Sequence, residues 1–172
     1  KDFVIEALRP LFTDPSVLKV GQNLKYDLSI LARAGLELTP IDDTMLMSYA
    51  LEAGLHNHGM DELANIHLDI TPIAFKDIAG TGKKQLTFDQ IALDKATEYA
   101  AEDADITLRL HMLLKPRLAA EKVATVYETL ERPLASVLSQ MEREGIRVDV
   151  GTLTRLSNEF AEGISRLDKE IQ

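Results

Sequence analysis

The chain has 172 residues, a formal net charge of −9 at pH 7, four His and no Cys. Its 45% hydrophobic and 27% charged residues are those of a globular domain, which excludes disordered, collagenous and low-complexity classes; without Cys, disulfide frameworks, thiolate zinc sites and a Cys nucleophile drop out, leaving carboxylates, His and hydroxyls for any chemistry. No apolar run approaches the ~20 residues that span a bilayer and no leader pattern opens the chain, so a cytoplasmic, membrane-free location is expected, while the acidic balance runs against the basic face usual in nucleic-acid binding.

Phe3, Ala7 and Leu11, with Val4 and Leu8 beside them, form a helical stripe at the first residues. Residues 13–16 read as a turn around Pro15, and residues 17–21 as a short buried strand. Asn23 is a suitable N-cap for a helix over 24–34 that stops at Gly35. A second strand over 36–41, interrupted by Pro40, completes a strand, helix, strand order typical of α/β folds.

Helices are expected over 44–53 and 60–68, then a loop over 70–86 with one helical turn around Phe75. A long helix follows from Phe88 to Leu114, breaks near Pro116 and resumes to Glu144, with Pro133 as a kink or restart. Gly145 ends it, and a last amphipathic helix follows Asp149. The apolar face from about Val123 onward finds no partner in what precedes it, so residues 121–172 are expected to open another domain after one over residues 1–120. Both edges run straight into helical patterns, which suggests a piece of a longer protein.

Two carboxylates break this pattern. Ala96, Tyr99, Asp103, Ile106, Leu110 and Leu113 share one helical face, and only Asp103 resists burial there. A bare interior carboxylate costs several kcal/mol, or else its pKa rises and it stays neutral. Asp27 interrupts the row Leu24, Leu31 and Ala34 in the same way, just inside a helix N-terminus that favours an anion only weakly. Each Asp either pairs with a distant Arg or Lys or the two hold a divalent cation. Few basic residues stand near the apolar rows, which favours the cation, and oxygen ligands without Cys favour Mg²⁺ or Mn²⁺ over zinc. Tyr99 lies one turn before Asp103; it either packs in the core or positions a metal-activated water.

The local strings extend this reading. Lys19-Val20-Gly21-Gln22-Asn23-Leu24-Lys25-Tyr26-Asp27 resembles the second, and Tyr99-Ala100-Ala101-Glu102-Asp103-Ala104-Asp105 the third, exonuclease motif of the proofreading domain in bacterial family A DNA polymerases. Asp43-Thr44-Met45-Leu46, Met60-Asp61-Glu62-Leu63-Ala64, Ile78-Ala79-Gly80 and Gln85-Leu86-Thr87-Phe88 follow the same family in the same order, and Met141-Glu142-Arg143-Glu144-Gly145-Ile146 resembles the start of its polymerase domain.

The resemblance implies an α/β, ribonuclease-H-like exonuclease fold of the DEDD class in its tyrosine variant, mostly helical here and lacking its N-terminal strands. It implies that Asp27 and Asp103 are metal carboxylates and that Tyr99 orients the attacking water. Two-metal-ion hydrolysis of a single-stranded DNA 3′ end follows, within a larger polymerase chain. Gln22, Asn23 and Tyr26 fall where the family contacts the strand end, and Phe75 where a ring stacks on a base, or serves only as a staple for its own turn. Asn57 stands where some members carry a basic phosphate contact.

The family's first motif, Asp-x-Glu on a strand, has no counterpart ahead of Asp27. Asp168-Lys169-Glu170 lies beyond the other motifs, so the isolated chain is expected to be inactive; a catalytically silent scaffold or DNA-binding domain is the alternative. His56-Asn57-His58 reads as an ordinary loop, Gly80-Thr81-Gly82-Lys83-Lys84 as a mobile basic turn, and His67 and His111 as surface or packing residues. Met45, Met47 and Met112 read as core, and Glu98, Glu102 and Asp105 as a solvated helix face.

Overall fold

The computed structural model describes residues 2–171 and divides into two compact units, Lys1–Met141 and Glu142–Gln172. The first is organised around a short parallel ladder. β1 (Lys19–Gly21) and β2 (Ile41–Asp43) pair Lys19 with Ile41, Val20 with Asp42 and Gly21 with Asp43, and α2 (Leu24–Ala32) makes the crossover that parallel pairing requires.

β2 begins where the sequence predicts its end. Residues 36–40 bury Leu36 and Leu38 without forming a ladder. Pro40 has no N–H to pair, yet its carbonyl accepts from the Lys19 N–H at 3.0 Å, so regular pairing starts at Ile41. Lys19 is buried, its ammonium held by the carbonyls of Asp14, Val17 and Thr39 at 2.7, 2.8 and 2.7 Å.

The cap expected from Asn23 comes from elsewhere. Asn23 is left-handed, with φ 57°, and makes no side-chain cap bond. Asp43 replaces it: Oδ2 accepts from Leu24 N at 2.7 Å, and Oδ1 accepts from Asn23 N at 3.1 Å and from Met45 N at 2.9 Å. One carboxylate thereby caps α2 and α3 (Thr44–Glu52) together, where the unpaired N–H groups of two helix starts favour an anion.

α4 (Met60–Leu68) and α5 (Phe75–Ala79) occupy the predicted positions. Two 3₁₀ turns, Gly82–Lys84 and Phe88–Gln90, precede α6 (Leu93–Ala120). The break expected at Pro116 does not occur. Leu114 and Leu118 flank it and are both buried, so packing carries the helix across one lost hydrogen bond. The buried row continues through Leu110, Leu114 and Leu118, leaving Leu113 37% exposed.

Met47 of α3, Leu63 and Ala64 of α4, and Ile106, Leu110, Leu114 and Leu118 of α6 form the larger core. Each large apolar side chain buried there contributes about 1.5–3 kcal/mol. Met112, predicted as core, is exposed instead.

The face beyond Val123 does have a partner upstream. After Lys122, left-handed at φ 63°, α7 (Ala124–Val126) passes through a π-helical turn, Tyr127–Glu131, into α8 (Arg132–Glu144). The wide turn precedes Pro133, whose ring a regular α-helix would crowd. Tyr127 is fully buried in the larger core, and Ala135 joins Leu24, Leu28, Leu38 and Ile41 in a smaller one. The first unit therefore runs to Met141. A hydroxyl that reaches a buried strand makes Tyr127 a core residue, and spacing alone does not show that.

α1 (Asp2–Thr13) forms as expected but turns its predicted stripe outward. Phe3, Val4, Leu8 and Leu11 are exposed, whereas Phe12 packs on the smaller core and Arg9 donates to the Gly35 carbonyl at 2.9 Å. In the second unit Gly145 ends α8 at φ 74°. Asp149 accepts from Thr152 N at 3.0 Å and starts α9 (Val150–Ile171), whose Leu153, Phe160, Ile164 and Leu167 are exposed. Among the described residues no helix is long and apolar enough to cross a membrane.

Candidate functional site

A cleft of about 720 Å³ runs along β1 and is closed by α2, α4 and α6. Asp27 and Asp103, 76 positions apart, both line it, together with Gln22, Met60, Ala104 and Thr107. α2 delivers Asp27 from its first turn, and α6 delivers Asp103 one turn before the fully buried Ile106.

Asp103 is half-buried, and its Oδ1 is buried without a hydrogen-bond partner. Burial raises its pKa above the ordinary carboxylate value, the charges of Asp61 and Glu102 add to the rise, and the Tyr99 hydroxyl opposes it. Desolvation by the cleft walls raises Asp27 as well, opposed only by its own backbone N–H. Among the described residues no cation is seen to act on either carboxylate. Lys19, which lines the same cleft, is turned onto its three carbonyls, and Arg109 is paired with Asp105 at 2.8 Å. Asp27 is exposed at the cleft rather than buried in its apolar row, and two carboxylates on one cleft, the half-buried Asp103 having an orphaned oxygen, fit an oxygen-ligated divalent cation.

Tyr99 stands beside Asp103. Burial first, and then the Asp103 carboxylate, raise its pKa, so the phenol keeps its proton at neutral pH and remains a donor. Its ring is fixed between Phe75, with centroids 6.0 Å apart, and Phe88, at 6.3 Å. Phe75 thus reaches the site through Tyr99.

Gln22 lines the cleft with its amide engaged: Nε2 donates to the His58 carbonyl at 2.8 Å, and Oε1 accepts from the Thr44 hydroxyl. Asn23 and Tyr26 are exposed and stand outside the lining. The structure therefore brings together Gln22, Asp27 and Asp103 directly, with Tyr99 and Phe75 behind Asp103.

Sequence reasoning missed several groups. Asp61, at the start of α4, acts on both Asp103 and Tyr99. Glu102, read as part of a solvated face, is half-buried and accepts from Ile73 N at 2.7 Å, tying the loop before α5 to α6. Phe88 offered one signal, an aromatic residue closing the string Gln85-Leu86-Thr87-Phe88.

A family model for the 3′-5′ exonuclease of A-type DNA polymerases matches residues 1–119. The chain belongs to this 3′-5′ exonuclease family. This family member is 57% identical over 164 residues to DNA polymerase I of Rhizobium leguminosarum, a match covering 95% of this chain and 16% of that protein. DNA polymerase I of Pseudomonas aeruginosa is 48% identical over 177 residues, covering 99% of this chain and 19% of that protein. The chain thus spans under a fifth of these relatives' length.

Among solved structures, Brucella melitensis NrnC superposes with a TM-score of 0.67 at 25% identity, covering 83% of this chain and 67% of that one. The same protein with bound Mg²⁺ superposes with a TM-score of 0.63 at 24% identity, covering 82% and 67%. The small parallel sheet flanked by long helices is a ribonuclease-H-like α/β exonuclease fold.

Proposed function

We propose that this exonuclease-family chain is the proofreading part of a bacterial, cytoplasmic DNA polymerase I, with residues 1–120 from the 3′-5′ exonuclease domain and residues 121–172 opening the polymerase domain, the stretch up to Met141 packing within the first compact unit. The reaction is hydrolysis of the terminal phosphodiester of a single-stranded DNA 3′ end. The remainder of the polymerase chain is its standing partner.

The observation that carries this reading is the orphaned Oδ1 of Asp103 on the cleft it shares with Asp27. Asp27 and Asp103 would hold Mg²⁺ or Mn²⁺, the ion that NrnC carries in one of its structures being Mg²⁺. When bound, divalent ions supply water activation and charge neutralisation on the phosphodiester, two ions sharing the work in a complete site.

The chain's own residues do the rest. Tyr99 Oη keeps its proton, donates to Asp103 and orients the attacking water. The clamp of Phe75 and Phe88 holds the Tyr99 ring in register, and Phe75 also stacks on a terminal base. Gln22, Asn23 and Tyr26 bind the strand end from β1 and the start of α2. A mispaired terminus unpairs at less cost and reaches the site more often, which gives the selectivity of proofreading.

The test is nucleotide release from a 3′-labelled single strand with Mg²⁺, using the chain extended upstream through the parent gene. Activity is expected, with a loss of at least about 100-fold in Asp103→Ala. Undiminished activity in that variant would remove Asp103 from the site.

A further inference from the structure

A second polar cluster lies away from the Asp27/Asp103 cleft. Glu52 is the last residue of α3, His56 sits in the following loop, and His67 lies in the last turn of α4. All three side chains are largely buried, at 12%, 13% and 10% exposure. Glu52 Oε2 is 2.8 Å from His56 Nε2 and 3.1 Å from His67 Nε2, and the three ligating atoms lie within 4.8 Å of one another. Arg117 occupies the other carboxylate oxygen, Oε1, at 2.7 Å, which leaves Oε2 to the two rings.

The hydrogen bonding of His56 shows that this cluster calls for positive charge. Its Nδ1 lies 2.6 Å from the Asn57 carbonyl. A carbonyl only accepts, so Nδ1 carries a proton. In the neutral ring Nε2 then offers a lone pair to Glu52 Oε2, which also only accepts. Two acceptors at 2.8 Å need positive charge between them, from a second ring proton or from a cation. A backbone carbonyl on the far nitrogen is the arrangement that orients a metal-binding imidazole and fixes its tautomer.

We propose that Glu52, His56 and His67 form a site for a borderline divalent transition metal of the Zn²⁺ type, none of the three lining the Asp27/Asp103 cleft. Two imidazoles and one carboxylate suit zinc, with a fourth position open to water, and are too poor in oxygen for Mg²⁺ or Ca²⁺. Bond lengths of about 2.0–2.1 Å place tetrahedral ligands about 3.3 Å apart, so each ring nitrogen needs to part from Glu52 Oε2 by only a few tenths of an ångström, and the two ring nitrogens already lie within 4.8 Å of each other. Arg117 lowers the affinity by its charge but holds the carboxylate so that Oε2 faces the rings. The ion would pin the loop between α3 and α4 to the C-terminus of α4, and thereby stiffen the wall that carries Met60 and Asp61.

The test is calorimetric titration of the metal-free 172-residue chain with Zn²⁺ in excess Mg²⁺. One equivalent is expected to bind, to persist in the double variant Asp27→Asn/Asp103→Asn, and to weaken by at least about 100-fold in His56→Asn and in His67→Phe. His56 is a loop residue whose replacement leaves both helices intact, and circular dichroism verifies the fold of each variant. Co²⁺ in place of Zn²⁺ should give visible absorption bands that His56→Asn abolishes. A folded chain that takes up no Zn²⁺, or one whose uptake is unchanged in His56→Asn, overturns the site.

Discussion

Asp42 and Asp103 are both acidic residues in the interior of the same unit, and they have opposite surroundings. Asp42 is 0% exposed, and its carboxylate is saturated by His111 Nε2 at 2.9 Å, Lys115 Nζ at 3.0 Å, the Tyr127 hydroxyl at 3.0 Å and Arg132 at 3.3 Å. Burial alone would raise its pKa, but the bonds from His111, Lys115 and Tyr127 outweigh burial and lower it. Asp103 is less buried, yet one of its oxygens has no partner and its pKa is raised. A buried carboxylate with all its partners supplied by the chain is a structural joint. One left short of positive charge is a place for something the chain does not supply.

Removing the joint should have the largest effect on folding. Asp42→Ala takes from Lys115 and Arg132 one of the two carboxylates they share, leaving them Glu128, and breaking such a pair costs about 3–5 kcal/mol when fully buried. Both cations are about one-third exposed, so a loss of about 2–3 kcal/mol is expected in denaturant unfolding. A loss below the level of surface substitutions would show that the network is ornamental.

Tyr127→Phe comes next, because the hydroxyl donates to Asp42 and accepts from Asp43 N, both at 3.0 Å. Leaving the Asp43 N–H without a partner should cost about 1–3 kcal/mol. Asp103→Asn should show the opposite sign, a gain of up to about 1 kcal/mol, since it removes a desolvated charge that the Tyr99 hydroxyl offsets only in part. Equal losses at positions 42 and 103 would erase the contrast.

The two carboxylates also separate with pH. The folded-state pKa of Asp42 lies below its ordinary value of 3.8, so its stabilisation is complete above that pH and is lost as the pH falls through the lowered value. Asp103 has a raised pKa, so its contribution is present below 3.8 and disappears as the pH rises through the raised value. Unfolding curves of Asp42→Asn and Asp103→Asn should therefore approach wild type from opposite sides between neutral and strongly acid pH, by the smallest of these effects.

Much of the site was legible in the sequence because its signal is local. Asp27 and Asp103 each interrupt an apolar row that a helical period displays, and Gly35 and Gly145 mark chain reversals that positive φ requires. Asp42 and Asp43 have no such signal. They end a three-residue strand, and their meaning depends on Tyr127, 85 positions away, and on two helix starts that meet only in the folded chain. Asn23 was a sound cap by composition, but a better placed carboxylate took the role and left it free to turn left-handed. Glu52, His56 and His67 lie close in sequence yet follow no single periodicity, because a loop and two helices bring them together.

The central claim is that Asp103 and Asp27 share a divalent cation. Electron paramagnetic resonance of Mn²⁺ titrated into the chain measures this directly, since the signal of the free aquo ion falls as it binds. Binding by the wild-type chain that is lost in both Asp27→Asn and Asp103→Asn, and kept in Tyr127→Phe, is the predicted result. Binding that either Asp→Asn variant leaves unchanged, or none by the folded wild-type chain, would contradict it.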